Sequence, residues 1–216
     1  MNYEIIATGS QGNAVVLNGS ILIDCGVPFR SLAKVKKDLK LVLLTHRHED
    51  HFRKSTIRKL ASSRPTLRYA CCEWLVPELV SCGVEPKNID MLKIGRLYGY
   101  GAFWVAPVKL YHDVDNCGWR ICFGNGEKAI YMTDTVTLEG ISAKDYDLYL
   151  VEANYSEAEI QERIAAKEAS GEYIYEHRVM KTHLSKEKCD QWLLENMGAH
   201  SEYVYIHQHI DKEAEE

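Results

Sequence analysis

The chain has 216 residues, of which 46% are hydrophobic, and a formal net charge of -5 at pH 7. This length is enough to bury one good hydrophobic core, and the composition is that of a globular protein. The longest apolar stretches fall short of the ~18 residues that a membrane span needs, and a negative net charge argues against a general nucleic-acid binder.

The first residues, Met1-Asn2-Tyr3-Glu4, contain neither the basic segment nor the long apolar segment of a secretion signal. The cysteines are scattered and odd in number, which fits a reducing compartment. We therefore expect a cytoplasmic protein with one domain over residues 1–216, no membrane contact and no obligate protein partner. The acidic end, residues 211–216, is expected to fray.

Alternating or β-branched runs predict strands along most of the chain. The predicted strands are residues 3–8, 14–17, 21–24, 41–44, 67–71, 103–111, 119–123, 129–133, 148–152 and 203–206. Asn125-Gly126 predicts a hairpin turn, since both residues tolerate positive φ.

Helical patterns separate several of these strands. Ser156 with Glu159 forms a capping-box pattern that predicts a helix to about Ala169, and Ser185 precedes a second amphipathic helix that ends near Gly198. Strands in both halves with helices interspersed predict an α/β fold of the αββα type. In this sandwich, two mixed β-sheets are flanked by helices, and sites lie at one end between the sheets.

Four potential metal ligands lie close together on the predicted loop after residues 41–44. They are His46, His48, Asp50 and His51, and the segment from Phe52 opens a helical pattern. Imidazole and carboxylate ligands suit Zn, Mn or Fe, and there are too many here for one tetrahedral ion. A surface loop that is His-rich by chance is the alternative. The concentration of ligands favours two metal ions.

The pattern His-x-His-x-Asp-His resembles the signature of the metallo-β-lactamase superfamily. The segment Ser10-Gln11-Gly12-Asn13 and the following strand resemble the opening hairpin of that family. The resemblance implies one ion on His46, His48 and His112, and a second on Asp50, His51 and His207. It further implies that Asp134 bridges the two ions and that Asp50 orients the nucleophilic water. Asp24 would hydrogen-bond a ligand histidine, the alternative being a turn residue at a strand end.

Within the superfamily, the chain resembles the short YycJ-like bacterial exonucleases, which are related to tRNA 3′-processing endonucleases and to a phosphodiesterase of phosphonate metabolism. His183-Leu184-Ser185 matches their His-x-Ser motif, whose histidine is the implied proton donor to the leaving group. The alternative is that His183 packs or caps at a helix start.

The chain departs from this branch at two places. Tyr155 replaces a histidine in Glu152-Ala153-Asn154-Tyr155, which suggests that Asn154 and Tyr155 contact substrate. His209 also rivals His207 as the last ligand, although His207 is favoured because it ends the predicted strand.

The resemblance implies a hydrolase with two divalent ions, Zn or Mn, that cleaves phosphodiester bonds as a YycJ-like nuclease. Its substrate would be nucleic acid or a small phosphodiester. One alternative is hydrolysis of a small ester, thioester, lactone or cyclic phosphodiester at the same centre, and another is a non-catalytic metal-binding or scaffold module. Lys54 and Arg58 share one helix face, where they form either a phosphate-binding patch or solvated surface.

Overall fold

The computed structural model describes residues 1–208. Both His209 and the acidic end predicted to fray lie outside the described residues. Two six-stranded sheets pack against each other, with helices on their outer faces. Within residues 1–208, no helix has the length and apolar character that a membrane crossing requires.

The first sheet is built from the first half of the chain in simple sequential order. Its strands are β1 (Tyr3–Ala7), β2 (Ala14–Leu17), β3 (Ile21–Ile23), β4 (Leu41–Leu43), β5 (Arg68–Cys71) and β6 (Ile89–Met91). The pairs β1/β2 and β2/β3 are antiparallel, and the strands from β3 to β6 are parallel. The sheet is therefore mixed, as predicted.

The second sheet follows the reverse sequential order, β12-β11-β10-β9-β8-β7. Its strands are β7 (Tyr98–Gly99), β8 (Phe103–Tyr111), β9 (Asp115–Phe123), β10 (Lys128–Met132), β11 (Leu148–Glu152) and β12 (Glu202–Ile206). Strands β10, β11 and β12 are parallel, whereas β7 to β10 are antiparallel. The turn predicted at Asn125-Gly126 joins β9 to β10, and Gly126 has φ 93°. That prediction is confirmed.

Helices cover the outer face of each sheet. They are α1 (Lys54–Ser63), α2 (Val76–Ser81), α3 (Glu157–Ser170), α4 (Glu176–Thr182) and α5 (Lys186–Asn196). Ile57 and Leu60 of α1 pack on the first sheet, and Cys189 and Trp192 of α5 pack on the second. The inner faces meet in a third cluster around Trp119. The predicted αββα sandwich is confirmed.

Both predicted helix starts are confirmed, but the two helices are capped differently. Ser185 caps α5, because its side chain accepts a hydrogen bond from the Lys188 backbone N–H. The capping box predicted at Ser156 and Glu159 is wrong, since the Ser156 side chain makes no cap hydrogen bond to α3. The Glu187 carboxylate takes that place, accepting from the Glu157 N–H at 3.1 Å. The helix is therefore capped by a tertiary contact instead of a local one.

Candidate metal centre

The histidine-rich segment forms the loop between β4 and α1, as predicted. Its backbone is held from behind by the first sheet. The Asn13 N–H donates to the Asp50 carbonyl at 2.6 Å, and the Cys25 N–H donates to the His51 carbonyl at 2.8 Å. These backbone hydrogen bonds therefore support the loop independently of its histidine and aspartate side chains.

Gly26 allows this close contact because it has no side chain. A Cβ added at Gly26 would lie 1.7 Å from the Asp50 carbonyl oxygen, well inside van der Waals contact. Gly19 offers a contrast, since its added Cβ would meet nothing within 4 Å, although its φ is +66°.

We expect Gly26→Ala to displace the loop and to lower both the melting temperature and the amount of bound metal. Gly19→Ala should cost only the strain of a left-handed alanine, roughly 1 kcal/mol. Thermal unfolding and elemental analysis of the two variants measure the difference. If Gly26→Ala matched Gly19→Ala in both properties, the loop would not depend on this contact.

The other predicted ligands come from the second sheet and lie just beyond strand ends. His112 follows β8, Asp134 lies two residues beyond β10, and His207 follows β12. Asp134 and His207 have left-handed φ angles of 51° and 53°, as does Asp24 at 58° beyond β3. Such strained backbone positions are concentrated at functional sites, and here they turn the chain sharply at the strand ends.

His46, His48 and His112 form one group of potential ligands, with ligand atoms that all lie within 4.8 Å of one another. The Nδ1 of His48 is 3.3 Å from the Nε2 of His112. His46 is fully buried behind them. The structure thus brings together the three histidines predicted for one ion.

Asp50, His51 and His207 form a second group. The Asp50 Oδ2 lies 3.4 Å from the Nε2 of His51 and 3.3 Å from the Nε2 of His207. Asp134 lies between the two groups, with Oδ2 at 2.7 Å from the His51 Nε2 and 3.9 Å from the His46 Nε2. Its position is the one expected for a bridging carboxylate.

Asp24 lies behind the second group, where the sequence placed it. Its Oδ2 is 2.7 Å from the Nδ1 of His51 and accepts a hydrogen bond from the Tyr131 hydroxyl at 3.2 Å. The Asp24 Oδ1 accepts hydrogen bonds from both the backbone N–H and the hydroxyl of Thr45. A carboxylate on Nδ1 fixes the ring orientation and directs Nε2 into the cluster.

Other supporting contacts were missed at the level of sequence. The Thr182 carbonyl is 2.8 Å from the Nδ1 of His112. The Asp113 Oδ1 is 3.4 Å from the Nε2 of His48, and the Asn13 amide nitrogen is 2.9 Å from the Nε2 of His51. Asp113 adjoins a predicted ligand, which is a weak signal. No side-chain pattern could have indicated the backbone carbonyl of Thr182.

Glu152 organises the side of the cluster opposite the metal loop. This fully buried residue ends β11, and its Oε1 accepts from the His183 Nδ1 at 2.6 Å. Its Oε2 accepts from the Thr135 N–H at 2.9 Å and from the Leu184 N–H at 3.3 Å. Burial opposes protonation of His183, but the hydrogen bond and charge of Glu152 raise the pKa of that histidine.

Asn154 and Tyr155, predicted to contact substrate, lie beside the cluster. The Asn154 amide donates to the His207 carbonyl at 2.8 Å, which fixes the turn after β12. Tyr155 is only 5% exposed and pairs through its backbone with Ser185. In residues 1–208, neither side chain lines the cavity in front of the cluster. This placement assigns Asn154 to the support of His207.

That cavity has a volume of about 300 Å³ and opens directly onto the cluster. On the side of the cluster, the cavity is lined by His48, Asp50, Asp134, His183 and His207. Tyr175, Arg178 and Val179 of the α4 region form the opposing wall. A small polar group can therefore reach the predicted ligands and His183 together.

The charges around the cluster favour cations. Although burial lowers the pKa of a histidine, Asp134 and Asp24 raise the pKa of His51 well above its usual value. Asp134 and Asp50 likewise raise the pKa of His207 to about 10, against the effect of its burial. The buried carboxylates thus create a negative field that a divalent ion would neutralise.

His46 gives a direct test of whether a metal fits. Burial lowers its pKa well below the usual value, so the ring is neutral. Its Nε2 is buried and, among the described residues, has no hydrogen-bond partner. A buried polar atom without a partner is costly, whereas a neutral imidazole nitrogen is a good metal ligand. The residues present therefore fit divalent metal ions.

Comparison with known proteins agrees with this geometry. The family model of the β-lactamase superfamily domain matches residues 20–208. No curated protein sequence matches the chain significantly.

Several solved structures have the same fold. The metallo-β-lactamase fold protein YhfI from Bacillus subtilis is 14% identical with a TM-score of 0.71, covering 98% of this chain and 88% of that chain. The short form of human tRNase Z is 16% identical with a TM-score of 0.69, and the match covers 96% of this chain and 92% of that chain. A diphosphatase of the PhnP family is 15% identical with a TM-score of 0.66, and the match covers 95% of this chain and 85% of that chain. The family match and the cluster together show that the chain belongs to the metallo-β-lactamase superfamily of metal-dependent hydrolases.

Proposed function

We propose that the protein is a phosphodiesterase that uses two divalent metal ions, Zn or Mn, and acts on nucleic acid as a YycJ-like exonuclease. The observation that carries the proposal is the pair of His183 and Glu152 beside the predicted ligands. The hydrogen bond to Glu152 uses Nδ1 of His183 and leaves Nε2 as the ring nitrogen available to the cavity. A positioned proton donor matters most where the leaving group is a poor one, such as an alkoxide.

Two of the fold neighbours add support. They are a tRNase Z and a diphosphatase of the PhnP family, and both names denote enzymes that act on phosphate linkages. At 15–16% identity these similarities show a shared fold and no more, so the substrate class rests on the chemistry of the cavity.

In the proposed reaction, one ion would be held by His46, His48 and His112, and the other by Asp50, His51 and His207. Asp134, which lies between the two groups, would serve both. When bound, the ions activate water and neutralise charge that develops on the phosphate. Asp50, at the cavity wall, accepts a hydrogen bond from the attacking water and orients it. His183 donates its Nε2 proton to the departing oxygen, while Glu152 holds the ring in place.

We expect two ions per chain and a melting temperature that falls when a chelator removes them, because bound metal stabilises the folded state. Elemental analysis after reconstitution, followed by thermal unfolding with and without chelator, measures both. At most one ion per chain, together with an unchanged melting temperature, would contradict the two-ion proposal.

The proposed reaction class is tested by comparing substrates on one preparation of known metal content. Bis(p-nitrophenyl) phosphate should be hydrolysed faster than p-nitrophenyl acetate, a thioester or a lactone. Chelator should abolish the phosphodiester rate, and added metal should restore it. A preference for one of the carboxylic substrates would replace the phosphodiesterase proposal with the alternative hydrolase.

A further inference from the structure

A second cleft adjoins the cavity in front of the metal centre. Its volume is about 470 Å³, and both spaces are lined by His112 and Asp113. The cleft is also lined by Arg47, Trp74, Lys109 and Tyr111. A molecule whose reacting group lies at the metal centre can therefore extend into this cleft past Asp113.

Arg47 supplies a positive charge to this cleft. It lies on the metal loop between His46 and His48, and its side chain is exposed. Within the described part of the chain, its guanidinium has no hydrogen bond and no ion pair. The nearby carboxylate of Asp113 is already engaged by Arg178 at 2.6 Å. Arg47 is thus free to bind an anion, and its planar guanidinium suits phosphate.

The cleft wall adds a second cation and two aromatic rings. Lys109 and Tyr111 are two residues apart on β8, so their side chains point to the same face. The Lys109 Nζ lies 5.5 Å from the centroid of the Trp74 ring, and the Trp74 indole is fixed by its hydrogen bond to the Thr45 carbonyl at 3.2 Å. The Tyr111 side chain is 53% exposed. Exposed aromatic and cationic side chains together are typical of single-stranded nucleic-acid sites.

The rival basic surface is weaker. On α1, Lys54 forms an ion pair with Glu78 at 2.5 Å, which offsets its charge. In residues 1–208, neither Lys54 nor Arg58 lines the cavity or the cleft. Lys109 lines the cleft but lies 3.5 Å from the carboxylate of Asp115, which also lines it. Among the cleft-lining residues of the described part of the chain, the cation without an ion pair is therefore Arg47.

We propose that this cleft binds the nucleotide next to the scissile phosphate of a single-stranded substrate. Arg47 contacts the phosphate of that nucleotide, and Tyr111 stacks on its base, which must be unpaired to reach the ring. The inference rests on the proposed phosphodiesterase function. It extends that function by requiring that the strand be unpaired at the nucleotide next to the scissile phosphate.

The test measures binding of a fluorescein-labelled, phosphorothioate-linked tetranucleotide to the metal-loaded protein at several salt concentrations. Arg47→Ala should raise Kd about tenfold by removing a charge-assisted hydrogen bond. Losing one phosphate contact should also lower the slope of log Kd against log salt by ~0.7. Tyr111→Ala should raise Kd by at least about fivefold but leave the slope unchanged, since stacking involves no counterion release.

Arg58→Ala is the matched control, because it removes the same charge from α1, and it should leave Kd unchanged. The inference is overturned if Arg58→Ala weakens binding as much as Arg47→Ala, or if neither Arg47→Ala nor Tyr111→Ala changes Kd. A wild-type protein that hydrolyses bis(p-nitrophenyl) phosphate without binding the tetranucleotide would overturn the cleft assignment alone. If the tetranucleotide bound in an Arg47-dependent way but the protein hydrolysed neither bis(p-nitrophenyl) phosphate nor a natural dinucleotide, the cleft assignment would be supported and the proposed function overturned.

Discussion

We expect Asp134→Ala to lose both bound metal and phosphodiester hydrolysis. Asp134 is the carboxylate that contacts both groups of predicted ligands, so its removal leaves two cations with less negative charge between them. Loss of a residue that only supports a ligand typically lowers metal affinity or activity 10- to 100-fold. Loss of this bridge should therefore lower the rate by more than about 100-fold.

Elemental analysis and the rate on bis(p-nitrophenyl) phosphate measure this effect. Asp38→Ala, which removes an exposed carboxylate elsewhere, is the control for the change in net charge. Full metal content and near-normal rate in Asp134→Ala would show that Asp134 does not bridge.

Asp50→Asn should behave differently from Asp134→Ala. The Asp50 side chain is 23% exposed at the cavity wall, whereas that of Asp134 is 3% exposed. Asparagine keeps the shape of Asp50 but loses the charge that orients the attacking water. Turnover should therefore fall more steeply than metal content, and near-normal turnover would remove Asp50 from the proposed mechanism.

The second large effect is expected for His183→Ala, and the leaving group is its probe. Removing a general acid typically costs ~10²- to 10⁴-fold in rate when the leaving group needs a proton. A natural dinucleotide should therefore lose about that factor. Bis(p-nitrophenyl) phosphate should lose far less, because nitrophenolate departs without a proton.

Both rates should be measured at equal metal content, with His200→Ala as a control that removes an exposed histidine. Equal losses on the two substrates would indicate structural damage, as the alternative of a packing or capping role for His183 implies. In that case His183 would no longer be the proposed proton donor.

The strands could be predicted where apolar alternation is continuous. Residues 103–111 and 148–152 were predicted with the bounds that the structure has. Strand β9 begins at Asp115, earlier than predicted, because its first residues are polar and contain Gly118. They are extended because they pair with β8, as in the pair of Tyr111 with Asp115. This pairing is tertiary information that the segment itself does not contain.

Short elements escaped prediction for a similar reason. Strands β6 and β7 have three and two residues, and they are held mainly by their neighbours β5 and β8. Helix α4 has no continuous apolar stripe, yet it forms one wall of the cavity. Its position therefore became known only from the structure.

The ligand positions were predictable because the His-x-His-x-Asp-His pattern is local, and the remaining ligands lie at the ends of recognisable strands. The residues that support them lie far apart in sequence. Glu152 reaches His183 because β11 runs beside β12 and the chain returns after α4. The sequence signals at Glu152 were its place at the end of an apolar strand and in the segment Glu152-Ala153-Asn154-Tyr155, and neither predicted its contact with His183.

The central claim is most directly tested by incubating the purified protein, at measured metal content, with single-stranded DNA and RNA labelled at either end. We predict metal-dependent shortening of the strand from one end, abolished by chelator and by Asp134→Ala. The account would be contradicted if the protein with both ions bound left the DNA and the RNA intact under conditions where it hydrolyses a carboxylic ester.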